Sequence, residues 1–199
     1  LTETYAQILS NPVYKCKHAF AGIAHGNEIR IIDAQGDYVN QGESGELVIK
    51  GDNVLLEYYK NEEATTSAFN GDSYFLTGYL GVEDEDGFFF ITGRKKELII
   101  KGGENISPRE IDDTLYKHNA VLEACTFGIV DDNYGEEISA CVFLKENLDA
   151  NEKELKDLCT ADLGEYKTPS QIIFVDKPLP KGPSGKIQRL KIASLYNRA

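Results

Sequence analysis

No apolar run in this 199-residue chain approaches the roughly 20 residues that a membrane-crossing helix needs, so no transmembrane segment is expected. No signal-peptide pattern opens the sequence, and a cytoplasmic chain is expected. Basic residues are scarce: 21 Lys and Arg stand against 33 Asp and Glu, a formal charge of −12. Such a chain has no general affinity for nucleic acid, which requires clustered cations to meet the phosphates. Its cysteines, Cys16, Cys125, Cys141 and Cys159, are scattered, with no CxxC pair and no metal-ligand spacing. That excludes a zinc ribbon or a disulfide scaffold and predicts reduced, mostly buried thiols. There is no internal repeat and no low-complexity segment. What is present is ordinary globular composition, 41% hydrophobic and 27% charged, at a length that suits one or two domains.

Charge divides the chain unevenly. Residues 1–93 carry 15 acids and 5 bases, whereas residues 94–199 carry 18 acids and 16 bases. The change falls at Gly93-Arg94-Lys95-Lys96, a polar, glycine-led stretch that reads as a hinge or, more plainly, as a surface turn. Before it the pattern is strands and turns: strands at 28–33 and 46–50, a short helix over 61–69 with acids in its first turn, and a turn at Asp84-Glu85-Asp86-Gly87 leading into Phe88-Phe89-Phe90-Ile91. After it, helix and strand alternate. Ser107, Pro108 and Glu110 have the form of a capping box opening a helix whose buried face carries Ile111 and Leu115. Alternation at Ile138, Ala140, Val142 and Leu144 predicts a half-buried strand. Asn151 and Glu154 repeat the capping logic ahead of Leu155, Leu158 and Cys159. A strand over 171–175, a Pro/Gly loop over 178–185 and a helix over 188–196 complete a small α+β unit, expected to carry its helices on one side of a sheet.

Two segments are candidates for chemistry. Gly182-Pro183-Ser184-Gly185-Lys186 is not a Walker A loop, because two residues separate its glycines and Ile187 follows the lysine. A lysine at the tip of a short Gly/Pro loop can still be delivered to another surface, where its compact charge offsets negative charge on phosphate or carboxylate oxygens. The plainer alternative is a solvated turn lysine. Lys101-Gly102-Gly103-Glu104-Asn105 is the second: paired glycines allow a sharp turn or the close approach of a ligand. Thr2 with Glu3 offers a hydroxyl for phosphate and a carboxylate for Mg²⁺, a weak signal on two residues.

In order, the chain reads LTET (1–4), GELVIKGDNVLLEYYKN (45–61), YFLTGYLG (74–81), GRKKELIIKGGENISPREID (93–112) and PKGPSGKIQR (180–189). Together these resemble the C-terminal part of an adenylate-forming enzyme, in the acyl-CoA synthetase branch of the superfamily that includes luciferase and peptide-synthetase adenylation domains. The GGENISP form is most similar to CoA ligases for fatty, aromatic or small acids. The resemblance implies an α+β fold: residues 1–95 as the β-rich end of a large AMP-binding domain, truncated at its start, and residues 96–199 as a small mobile C-terminal domain. It implies that Thr2 contacts the AMP phosphate, Glu3 binds Mg²⁺, Arg94 reaches the ribose and Lys96 is the hinge. It also implies that Gly102 and Gly103 line the tunnel for a pantetheine arm and that Lys186 is the adenylation lysine. The implied reaction joins a carboxylic acid to a thiol through an acyl-AMP, using ATP, Mg²⁺ and CoA.

The family's TGD, whose Asp holds the ribose hydroxyls, reads Thr77-Gly78-Tyr79 here. A phenol cannot accept two hydrogen bonds as a carboxylate does. The family's phosphate-binding loop and most of its acyl pocket lie upstream of LTET, so the chain is expected to need the missing N-terminal part of its own protein and to carry no complete reaction alone. Two alternatives stand beside CoA ligation: transfer to the phosphopantetheine of a carrier protein, and a degenerate, non-catalytic nucleotide-binding or interaction module suggested by Tyr79.

Overall fold

A computed structural model describes residues 1–5 and 7–197. The chain divides into two compact units, residues 1–95 and 96–199.

The first unit is built on an antiparallel sheet. Its elements are β1 (Leu9–Ser10), β2 (Ile23–Ala24), β3 (Glu28–Ile32), β4 (Ser44–Lys50), α1 (Glu62–Ser67), β5 (Phe75–Glu83) and β6 (Phe89–Arg94). The main sheet has the order β3-β4-β5-β6, and β1 pairs separately with β2. The central strand β4 is buried on both faces. Leu47 packs with Ile31 and Phe89 on one side, and Val48 with Ile32 and Tyr74 on the other. The helix expected over 61–69 is present as the shorter α1, with Glu62 and Glu63 in its first turn, and it is capped by the Asn61 side chain, which accepts a hydrogen bond from Ala64 N. The turn between β5 and β6 is closed by Gly87 N donating to Asp84 O.

The second unit comprises β7 (Ile99–Lys101), β8 (Glu104–Ile106), α2 (Pro108–Leu115), β9 (Val121–Asp131), β10 (Gly135–Leu144), α3 (Glu152–Leu163), β11 (Gln171–Val175) and α4 (Arg189–Tyr196). β10 is its spine, antiparallel to β9 along nearly its whole length and parallel to β11. The expectation of helices on one side is corrected here. Ile138, Ala140 and Val142 meet Ile111 and Leu115 of α2 and Leu155 and Cys159 of α3. The alternate residue Cys141 lies with Cys125, Phe127 and Ile192 of α4 in a second cluster. Both faces of β10 are therefore covered, and Ser139 and Cys141 are as buried as their neighbours. The half-buried reading followed the polar Glu137 and Ser139 on the second face, which Cys141 and the packing of Ile192 of α4 override.

The two capping boxes diverge. Asn151 and Glu154 form theirs, each side chain bonded to the other's backbone. Ser107 is the N-cap of α2 but makes no side-chain cap bond, and the Glu110 carboxylate is engaged by Lys167 Nζ at 2.8 and 2.9 Å. Among the described residues, no helix is long and apolar enough to cross a membrane. All four cysteines are free; Cys16 is exposed and the other three are buried.

Candidate functional site

In the first unit, the chemistry-bearing residues are set by irregularities in regular structure. Val48 pairs with Leu76 and Glu46 with Leu80, so the three residues Thr77, Gly78 and Tyr79 oppose Leu47 alone. This is a β-bulge, a device that re-aims a side chain. Thr77 Oγ1 donates to Leu47 O at 2.7 Å, Tyr79 N donates to Thr77 Oγ1 at 3.0 Å, and Gly78 N donates to Glu46 Oε1 at 3.0 Å. Gly78 takes φ +70, which a residue with a Cβ adopts only under strain. Glu46 is only 5% exposed and also accepts from Lys95 Nζ at 2.8 Å. A buried carboxylate with two donors is thus the strut under the bulge.

The bulge brings Tyr79 opposite Arg94 in the register of β5 and β6. Arg94 Nη2 donates to the Tyr79 hydroxyl at 2.5 Å, and its guanidinium lies 4.8 Å from the ring centre. These two sequence candidates form a unit. Thr2 and Glu3 share the 3₁₀ turn Thr2–Thr4, with Thr2 exposed and Thr4 fully buried. The turn is fixed by Leu55 N donating to Glu3 O at 2.7 Å and Asn53 Nδ2 donating to Thr4 O at 2.9 Å. The neighbouring Tyr58 phenol is pushed up in pKa by burial and then by the negative charge of the Glu3 carboxylate. Mg²⁺ is usually held by one or two carboxylates plus substrate phosphates, and the lone Glu3 carboxylate fits that role. Among the described residues, no group of three or more His, Cys, Asp or Glu is placed to cage a metal.

In the second unit, Gly102 and Gly103 form the turn between β7 and β8, with φ of +56 and +87. Lys96 is exposed, in the 3₁₀ turn Lys95–Glu97. Lys186 sits on a tight loop. Gly185 N donates to Gly182 O, Gly182 N to Lys186 O and Gln188 N to Pro180 O, each at 2.9 Å. The loop is fastened at both ends. On one side Glu123 receives Leu179 N at 2.8 Å and pairs with Lys181. On the other, Arg189 donates to Glu97 at 3.0 Å, Asp112 at 2.9 Å and Thr126 O at 2.5 Å. Burial alone would lower the Arg189 pKa, but the facing Asp112 carboxylate and its neighbours outweigh it and hold it above the ordinary value. Between these anchors Lys186 is exposed, and among the described residues its ammonium group has no partner.

Glu46, Asp112, Glu123 and Arg189 were not singled out in the sequence. Glu46 had a signal, an acid directly before the apolar run Leu47-Val48-Ile49. The other three make contacts across 56 to 92 residues that no local pattern displays.

Residues 110–186 match the family described as the AMP-binding enzyme C-terminal domain. The chain is 44% identical over 194 residues to a sulfoacetate–CoA ligase of Cupriavidus necator, covering 96% of this chain and 38% of that protein. It is 39% identical over 202 residues to an oxalate–CoA ligase of Saccharomyces cerevisiae, covering all of this chain and 37% of that protein. ATP-bound MatB from Rhodopseudomonas palustris superposes with a TM-score of 0.92 at 32% identity, covering 100% of this chain and 40% of that structure. The chain therefore spans about two fifths of the length of the proteins it matches.

Proposed function

We propose, from the premise that residues 110–186 belong to the AMP-binding enzyme C-terminal domain family, that this chain is the C-terminal part of an ATP-dependent ligase joining a carboxylic acid to CoA. The acid's carboxylate attacks the α-phosphorus of ATP, forming acyl-AMP and releasing pyrophosphate. The CoA thiol then loses its proton and attacks the acyl carbon, forming the thioester and releasing AMP. In this reading Thr2 meets the AMP phosphate, Tyr79 and Arg94 meet the ribose, and Lys96 is the pivot about which the C-terminal domain swings between steps. Glu3 holds Mg²⁺, which supplies neutralising charge at the phosphates when bound. Gly102 and Gly103 flank the route of the pantetheine arm. Lys186 bridges the acid and the α-phosphate, where negative charge crowds as the bond forms.

The observation that carries this reading is Lys186 itself: an unpartnered, exposed ammonium on a loop fastened at both ends, while Lys181 beside it is spent in an ion pair. The test uses the full-length protein with ATP, Mg²⁺ and, in turn, sulfoacetate, oxalate and octanoate. Pyrophosphate release is expected with at least one acid, and AMP with CoA. Lys186→Ala is expected to abolish pyrophosphate release yet spare thioester formation from supplied acyl-AMP. Equal loss in both steps would make the lysine structural. No release with any acid would favour a non-catalytic module, and transfer only to a holo-carrier protein would replace CoA as acceptor.

A further inference from the structure

We infer that Lys101, Glu137 and Tyr166 act as a positioning clamp on the Gly102–Gly103 turn, governing the thiol-transfer step and not the adenylation step. The inference rests on the reading above that this turn flanks the thiol's route.

Lys101 is the last residue of β7, immediately before the glycines, and only 7% of its surface is exposed. Its Nζ meets Glu137 Oε1 of β10 at 2.7 Å and donates to Tyr166 O at 3.1 Å. The same ammonium lies 4.9 Å from the centre of the Tyr166 ring and 5.6 Å from that of Tyr134. The Tyr166 hydroxyl returns a hydrogen bond to Lys101 O at 2.6 Å, and Gly102 N donates to Tyr134 O at 2.8 Å. Three segments distant in sequence thus converge on one turn: β10, the β9–β10 connection and the 3₁₀ turn Glu165–Lys167. A Cβ placed on Gly102 would stand 3.0 Å from the Tyr166 hydroxyl and 3.4 Å from Tyr134 Cδ1, so these rings form one wall of the turn. On the other glycine the space is open: a Cβ on Gly103 would meet nothing within 4 Å.

Lysine is seldom buried to this degree unless it is paired. A buried ion pair rarely stabilises a fold more than well-packed apolar side chains would. What this cluster supplies that an apolar plug does not is direction. Its hydrogen bonds terminate on the backbone carbonyl beside the glycines and on the carboxylate of the neighbouring strand. The path of the turn is set by fixed bonds rather than by packing volume alone.

The test separates the two half-reactions in the full-length protein, using whichever of sulfoacetate, oxalate and octanoate releases pyrophosphate. Tyr166→Phe removes only the hydroxyl, and Lys101→Met keeps the length of the stem while removing the charge. Both are expected to raise the KM for CoA or slow transfer from acyl-AMP, by roughly fivefold for the lost hydroxyl bond and by more for Lys101→Met. Pyrophosphate release in the absence of CoA should stay within about twofold of the parent on the same scale. Equal loss in both steps would mean a purely structural cluster and overturn the inference. Gly103→Leu is the control for the underlying reading: if it spares thiol transfer, the turn does not flank the route. If Gly103→Leu impairs transfer while Tyr166→Phe and Lys101→Met do not, the route stands and the clamp falls. Amide hydrogen exchange decides the structural half without any acid. Residues 102–104 should exchange faster in Lys101→Met while the amides of α2 stay protected; unchanged exchange at the turn overturns the clamp.

Discussion

At the scale of the residue, the departure from the family's TGD is resolved into a contact. The Tyr79 hydroxyl accepts from Arg94, and the guanidinium lies across the ring. The phenol, bonded in this way, offers no paired acceptors of its own. Tyr79→Asp in the full-length protein is expected to tighten ATP by about tenfold or more, since each charge-assisted bond is worth roughly 1.5–3 kcal/mol and about 1.4 kcal/mol is tenfold in affinity. Matched ATP titrations with Mg²⁺ present check it. An unchanged or weaker dissociation constant would mean that the Tyr79–Arg94 pair accommodates the nucleotide as it stands. The sequence displayed Tyr79 and Arg94 separately but not their pairing, because a bulge sets the register that joins them and bulges have no compositional mark beyond the glycine. Arg189 was invisible for a related reason. Its value lies in Asp112 and Glu97, 77 and 92 residues away, and a buried charge is recognisable only once its partners are known.

At the scale of the element, local signals read well and competing ones did not. The strands at 28–32 and 44–50, the helix after Asn61 and the helix after Asn151 follow from alternation, turn residues and caps that have no rival partner. The cap expected at Ser107 lost its glutamate to Lys167, a tertiary contact that overrode the local one. The β5–β6 turn shows the reverse, a local Asp-Gly signal reinforced from afar. Asp84 and Asp86 receive Lys17, and Asp86 also receives Lys15. The lysine hydrogen bonds pull the Asp86 carboxyl down to about 2. A carboxylate depressed in the folded state contributes its stabilisation above its unfolded value, near 4, and loses it as pH falls through the folded value. The protection of the Gly87 amide and of the Phe88 amide, which donates to Asp84 Oδ1, taken relative to the intrinsic exchange rate at each pH, is therefore expected to hold down to about pH 4 and to fall toward pH 2. Protection already lost at pH 4 would place the turn's stability elsewhere.

At the scale of the whole molecule, the change of charge in the sequence and the division of the fold fall within a few residues of each other, the latter between Lys95 and Lys96. Each unit has its own buried clusters and is packed internally. Lys95 and Lys96 are exposed and offer trypsin its preferred residues. Brief digestion is expected to cut there first and leave both pieces resistant; early cutting within residues 110–175 would contradict the division. The single covalent join has a consequence in concentration. A lysine tethered to the rest of its protein by a short segment is present at an effective concentration in the millimolar range. Once the chain is cut and its pieces separated, it is present only at the concentration of the protein. If the proposed reaction holds, nicked full-length protein at about micromolar concentration, its pieces separated, should form acyl-AMP on the order of a thousandfold more slowly, recovering in proportion as the pieces are concentrated together. On the proposed reading, the segment at Lys95-Lys96 sets the local concentration of Lys186.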